Sequence, residues 1–355
     1  MINKRVVGAV SAAAVMSLSV VGCAVDTSST AGPGAGGAPA DAKLTVACGA
    51  MEEICDAWTK GFAAKTGIPT NFVRLSSGET VARLGATKAA PEFDVWHGGP
   101  ADGYGAAANQ GLLEQYVPEN AKDIPEKYKD ANGYWTGVYV GVLGFCSNTK
   151  VLAEKGVGIP QSWDDLLDPL LKSQVSTAHP STSGTAFTTL WTQVVRLGSE
   201  DAGLAFMAKL HNNVLQYTKS GTAPGQVAGR GEVAVGLVFS HDCVVYKERG
   251  MTDLEVSFPS EGTGFEVGGV AVVANGKNQQ AARQYANWAL TPEAQELGPT
   301  VGSYQLPTNP ASRIDARMAN LDDIVLVDYD FAKAAERKKD LTARFDAEIA
   351  AQPKE

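Results

Sequence analysis

From Lys43 onward, short apolar runs alternate with helical patterns: KLTVACG, then MEEICDAWTKGFAAKTG, PTNFVRL, SSGETVARLGATKAA and FDVWHGG. This alternation predicts βαβαβ, a parallel sheet with crossover helices, and so an α/β fold. In the first helical segment Ile54, Trp58 and Phe62 recur four apart on one face, and Gly67 is a stop signal. Ligands of open α/β sheets bind just past the carboxyl ends of strands. The turns after each strand are therefore the places to read for function.

The segment GYWTGVYVGVLGFCSNTKVL is rich in Trp, Tyr, Val and Phe and reads as a strand crossing from a first lobe to a second. EVAVGLVFSHD follows as a strand ending in a polar pair, and LEVSFPSEGTGFEVGGVAVVANG returns to the first lobe, with Asn275-Gly276 read as a hairpin turn. Roughly 310 folded residues divide into two lobes more readily than they share one core. The boundaries expected are 43–138 with 265–310 for one lobe and 139–264 with 311–355 for the other, with a hinge where the chain passes between them. The closing segments NQQAARQYANWALTPEAQELG and YDFAKAAERKKDLTARFDAEIAAQ are amphipathic packing helices.

At the N-terminus Lys4 and Arg5 precede VVGAVSAAAVMSLSVVGC, too lightly apolar for a resident span, which reads as a secretory signal over 1–22. Val20-Val21-Gly22-Cys23 resembles a bacterial lipobox, in which Cys23 is lipidated and becomes the mature N-terminus; an ordinary signal peptide with a chance cysteine is the alternative. Residues 23–42, made of Gly, Ala, Ser, Thr and Pro without large apolar side chains, read as a disordered tether. The expected location is the outer face of the cell membrane. Lys and Arg total 30 against 39 Asp and Glu, and the only basic cluster is the short ERKK, so nucleic acid is excluded as a partner.

Setting Cys23 aside leaves Cys48, Cys55, Cys146 and Cys243, an even set in an exported chain, which predicts two disulfides. Of three pairings, Cys48 with Cys55 across a strand-to-helix turn and Cys146 with Cys243 are favoured. No Cys/His spacing suggests zinc, and neither a metal nor a cofactor is expected.

Reaction machinery is not legible. There is no GxSxG elbow and no GxxxxGK[ST] loop. His241-Asp242 invites a triad, but neighbours on a strand point to opposite faces. Polar turns are prominent instead. RLSSGET puts Ser76, Ser77 and Gly78 between a strand and a helix, and DVWHGGP puts Gly98 and Gly99 after a strand. In HPSTSGTAFTTLW, Pro180 cannot continue a helix, so one starts near Ser183, and Ser183, Gly184 and Thr185 occupy its first turn. Free N–H groups and the helix dipole make such a start an anion site; a cap and nothing more is the plainer alternative.

RLSSGET, FDVWHGGP, HPSTSGTAFT, VGLVFSHD, FPSEGTGFEVGGVAV and SYQLPTNP, in this order along nearly the whole mature chain, resemble the extracellular solute-binding proteins of ABC importers. The similarity is to the ferric-iron type, and within it to the branch that binds sugar phosphates. The resemblance implies a monomeric two-lobe type II periplasmic-binding-protein fold, each lobe a mixed sheet flanked by helices. Such a receptor is not an enzyme: it closes on a small anionic ligand and delivers it to a permease driven by a separate ATPase. Carried over, Ser77, Gly78, Ser183, Gly184 and Thr185 would hold phosphate, and His241, Asp242 and Glu266 would bind sugar hydroxyls, with Glu261 a second candidate for the acid. Gly98, Gly99 and Tyr304 complete the candidate contacts. Trp96, Tyr104, Tyr139 and Phe265 are candidates to line the cleft, whereas Trp58, Trp163, Trp191 and Trp288 read as core. Iron-binding relatives use adjacent tyrosines, and this chain has no Tyr-Tyr pair. Ferric iron is nevertheless the alternative ligand, and a secreted hydrolase using His241 and a serine is the rival of a different class.

Overall fold

A computed structural model describes residues 43–354; the expected leader, tether and Cys23 lie outside the described residues. The chain opens with β1 (Leu44–Cys48), α1 (Glu52–Thr66), β2 (Thr70–Arg74), α2 (Ser77–Ala86), β3 (Val95–Pro100) and α3 (Ala101–Asn109). β1 lies between β2 and β3, parallel to both, as the alternation requires. α1 ends where Gly67 takes the left-handed conformation (φ 74°), and Ile54, Trp58 and Phe62 are its buried face.

The middle of the chain adds β4 (Thr136–Asn148), α4 (Thr149–Lys155), β5 (Val175–Ala178), α5 (Gly184–Leu197), α6 (Glu200–His211), β6 (Val214–Thr218), α7 (Ala223–Gly229), β7 (Val235–Phe239), α8 (Ser240–Glu248) and β8 (Leu254–Ser257). β9 (Phe265–Val272), α9 (Gln279–Ala289), two short helices α10 (Pro292–Gln295) and α11 (Leu297–Thr300), β10 (Leu306–Pro307) and α12 (Phe331–Phe345) close it. The strand order is β2-β1-β3-β9-β4-β7-β5-β6, with β8 and β10 also paired to β4.

β4 and β9 join the two halves of this sheet. The first part of β4 is antiparallel to β9, and its last part is antiparallel to β7 and β8. All 13 residues of β4 are buried, which accounts for its Val, Tyr, Leu and Phe falling on both faces of the strand. Helices cover both faces of each half. Leu44, Val46, Phe62 and Tyr285 form one core on the first half, and Ala47, Trp96 and Tyr104 form another. Leu143, Phe145, Trp163, Phe187 and Leu237 fill the larger core of the second half. Trp58, Trp163, Trp191 and Trp288 are all buried, as read from their spacing.

α12 contributes Leu341 and Phe345 to the second-half core, while its Lys338 reaches Asp102 on α3 in the first half at 3.1 Å. The closing helix thus touches both halves. Both favoured disulfides are present: Cys48–Cys55 ties β1 to α1, and Cys146–Cys243 ties β4 to α8.

Two local readings are corrected. His241 and Asp242 are in the first turn of α8 and not on a strand, because β7 ends at Phe239 and Ser240 already begins the helix. Asn275-Gly276 is a connection from β9 to α9 and not a hairpin; Asn275 takes a positive φ of 58° there.

Candidate ligand-binding site

The strand-to-helix turns β2–α2, β5–α5 and β7–α8 converge on one cavity between the halves of the sheet. Ser77, Thr185 and His241, each from a different turn, all line it.

Two helices begin at its wall. Ser76 and Glu79 form a reciprocal capping box on α2, with the Ser76 amide donating to the Glu79 carboxylate at 3.2 Å. On α5 the Ser183 hydroxyl accepts from the Ala186 amide at 3.3 Å. Ser77, Gly184 and Thr185, in the first turns of these helices, line the cavity where backbone N–H groups have no partner within the helix. Arg74, the last residue of β2, brings a positive charge to the same cavity. Its Nε donates to the Ala50 carbonyl at 3.1 Å, and its Nη2 crosses to the Ser220 hydroxyl at 2.9 Å. Gly221 and Thr222 continue that wall.

The same cavity is lined by His241, Asp242, Glu266, Gln305 and Tyr139, with His241 and Glu266 both against Gly141. Asp242 and Glu266 are each 2% exposed, and among the described residues neither is paired with a lysine or arginine. Burial pushes the Asp242 carboxyl up to about 7, against a smaller opposing pull from Arg74. Burial also raises Glu266 well above the carboxylate range, and Asp242 and Asp102 add to the effect. Burial lowers His241 to about 3, so its ring is neutral at physiological pH and its 3.6 Å approach to Asp242 is not an ion pair. Gln305 lies 3.5 Å from His241 Nε2, and the buried Nδ1 has no hydrogen-bond partner among the described residues. Among the described residues no serine hydroxyl is hydrogen-bonded to this ring. Gly141 makes room for the cluster, since a Cβ there would stand 2.7 Å from Glu266 Oε1.

Several candidate contacts lie elsewhere. The Gly78 amide is spent on the Thr182 carbonyl at 3.0 Å, across the two halves. Gly98 and Gly99, at φ 84° and 88°, stand behind the wall: the Gly98 carbonyl accepts from Tyr104, and the Gly99 amide donates to the Tyr139 hydroxyl at 2.8 Å. Glu261 is turned away, accepting from the Trp163 amide at 2.7 Å and the Ser162 hydroxyl at 2.9 Å. Tyr304 points its hydroxyl at Glu248 and stacks under Arg317, leaving its neighbours Ser303 and Gln305 on the cavity. Of the four aromatic candidates only Tyr139 reaches the cavity; Trp96 and Tyr104 stack on each other at 3.9 Å in the core, and Phe265 packs on Phe331. Arg74, Gly221, Thr222 and Gln305 also line the cavity without a sequence signal of their own, although RLSSGET begins with Arg74.

A family model described as bacterial extracellular solute-binding protein matches residues 57–322. An uncharacterised protein of Haemophilus influenzae is 38% identical over 322 residues, covering 88% of this chain and 92% of that one. The periplasmic binding protein AfuA from Actinobacillus pleuropneumoniae, solved with exogenous fructose-6-phosphate bound, is 37% identical with a TM-score of 0.85, over 88% of this chain and all of that chain. Iron-bound HitA from Pseudomonas aeruginosa is 20% identical with a TM-score of 0.73, over 85% of this chain and 98% of that one, and shares the two-lobe type II fold alone.

Proposed function

This chain belongs to the bacterial extracellular solute-binding proteins, and from that premise we propose that it captures a sugar phosphate or a similar hydroxylated organophosphate between its lobes and delivers it to the permease of an ABC importer. The observation that carries the reading is the meeting of Ser77, Thr185 and Arg74 with His241, Asp242 and Glu266 in one cavity. The first group suits a phosphate, since a dianion between two helix starts and a guanidinium gains charge-assisted bonds from both lobes at once. Those bonds exist together only when the cleft is shut, and this difference drives closure. The second group suits hydroxyls: buried carboxyls and a neutral imidazole can each accept or donate, and the unpartnered His241 Nδ1 favours a ligand that supplies a partner. The fructose-6-phosphate held by AfuA supports the same ligand class.

Ferric iron has no comparable support, because the likeness to HitA is one of fold and no adjacent tyrosines face the cavity. The lobes are assigned as 43–138 with 265–310 and 139–264 with 311–355, with α12 bridging them. The receptor works as a monomer held to the outer face of the membrane through lipidated Cys23, a reading that rests on the lipobox-like sequence. Calorimetric titration of Asp242→Ala tests the division of the cavity. Affinity for fructose 6-phosphate should fall roughly 10- to 100-fold, the scale of a lost hydrogen bond to a charged or buried group, and affinity for inorganic phosphate by less than about threefold. Equal losses for both would reject it.

A further inference from the structure

We propose that Lys219, which lies outside the cavity wall, is a positioning residue for the bound anion: from the second lobe it neutralises Glu79, the carboxylate that caps α2, and so completes the positive pole only when the lobes are closed. The inference rests on reading the Ser77–Thr185 end of the cavity as a phosphate site.

The capping box that starts α2 has an electrostatic drawback. Glu79 bonds the Ser76 amide at 3.2 Å, which fixes a negative charge within one turn of the helix start that faces the ligand. Its side chain is 24% exposed, so water screens that charge incompletely. Burial alone would raise its carboxyl, but the bond from Lys219, the Ser76 amide and the charges of Lys219 and Arg74 outweigh it and hold it below its ordinary value. Glu79 is therefore ionised at neutral pH and would repel a phosphate placed at Ser77.

Lys219 sits where it can offset this charge. It follows β6, and its ammonium pairs with Glu79 Oε1. Its carbonyl accepts from the Thr182 hydroxyl at 3.0 Å in its own lobe and from the Ser76 hydroxyl at 3.5 Å across the cleft. The next residue, Ser220, holds Arg74. With Lys219 in place, the interacting charges Arg74, Lys219 and Glu79 sum to a single positive charge. Without it Arg74 and Glu79 cancel, and only the helix starts remain to attract a dianion.

A simple latch between the lobes would use the same contact but respond differently to mutation. The test is calorimetric titration of the protein with fructose 6-phosphate and with inorganic phosphate at low ionic strength, because the Lys219 side chain is 72% exposed and salt would mask the effect. K219M should weaken both ligands about three- to tenfold. E79Q keeps an oxygen for the Ser76 amide but drops the charge, so it should bind as tightly as wild type or tighter. The double variant, with Arg74 again unopposed, should return to within about twofold of wild type. Circular dichroism and melting temperature verify that each variant is folded. Losses of equal size in K219M and E79Q, with no recovery in the double variant, would establish a latch and overturn the proposal, as would an unchanged K219M. A wild-type protein that binds neither phosphate ligand would overturn the functional reading and this inference together.

Discussion

The Gly78 amide donates to the Thr182 carbonyl at 3.0 Å, a direct backbone bond between the start of α2 in one lobe and the turn before α5 in the other. A Cβ on Gly78 would stand 2.3 Å from the Ser181 carbonyl oxygen, a distance at which backbone must move. Gly78→Ala should therefore leave each lobe folded, with alanine tolerated inside α2, while preventing full closure. Affinity for fructose 6-phosphate should drop by at least about tenfold, the equivalent of one lost interlobe bond, and small-angle scattering should show no ligand-induced contraction. Wild-type affinity and contraction in this variant would show that the bond is dispensable.

The acid end of the cavity carries a pH signature. Burial lifts Asp242 from 3.8 to about 7, so between those values the folded protein holds a proton that the unfolded chain has released. Stability from this group is full below about pH 4 and is lost as pH rises to about 7 and beyond. Asp242→Asn removes that dependence. The variant should melt a few degrees above wild type at about pH 8, converge with it near pH 4, and bind fructose 6-phosphate more weakly. Parallel melting curves across that range would contradict the burial argument.

The Cys146–Cys243 bridge anchors the first turn of α8 to β4 immediately beside Asp242 and closes a separation of 97 residues. On a chain-entropy basis it contributes about 4–5 kcal/mol, against about 2–3 kcal/mol for Cys48–Cys55 across seven residues. Replacing Cys146 and Cys243 by serine should lower the melting temperature more than the same change at Cys48 and Cys55. It should also weaken fructose 6-phosphate more than inorganic phosphate, because it loosens the hydroxyl end. The reverse order in either measurement would count against this placement of the two poles.

What the sequence shows of this site follows from how local each signal is. A helix start needs its hydroxyls and glycine next to it in the chain, so RLSSGET and HPSTSG are readable without knowing what faces them. The apolar run of β4 and the four-residue spacing in α1 are local in the same way. Arg74 is not: its partners Ala50 and Ser220 are 24 and 146 residues away, and a strand-end arginine carries no mark of which face it serves. Glu261 and Glu266 flank one Gly-Thr-Gly turn with equal claim in the sequence; the path of β9 alone turns Glu266 inward and leaves Glu261 on the Trp163 amide. VGLVF is plainly β, whereas SHDCVVYKE has no clear helical stripe to announce α8, so the pattern alone extends the strand onto His241 and Asp242. Gly78 shows the converse limit, since a legible donor can be spent on the other lobe instead of the ligand.

The central claim is that one phosphate bridges two helix starts contributed by opposite lobes. A crystal structure of the protein with fructose 6-phosphate tests it most directly. The phosphorus should lie with its oxygens in hydrogen-bond reach of Ser77, Thr185 and Arg74, and the sugar hydroxyls should meet Asp242 and Glu266. A phosphate found beside Glu266, or a ligand touching only one lobe, would contradict the account.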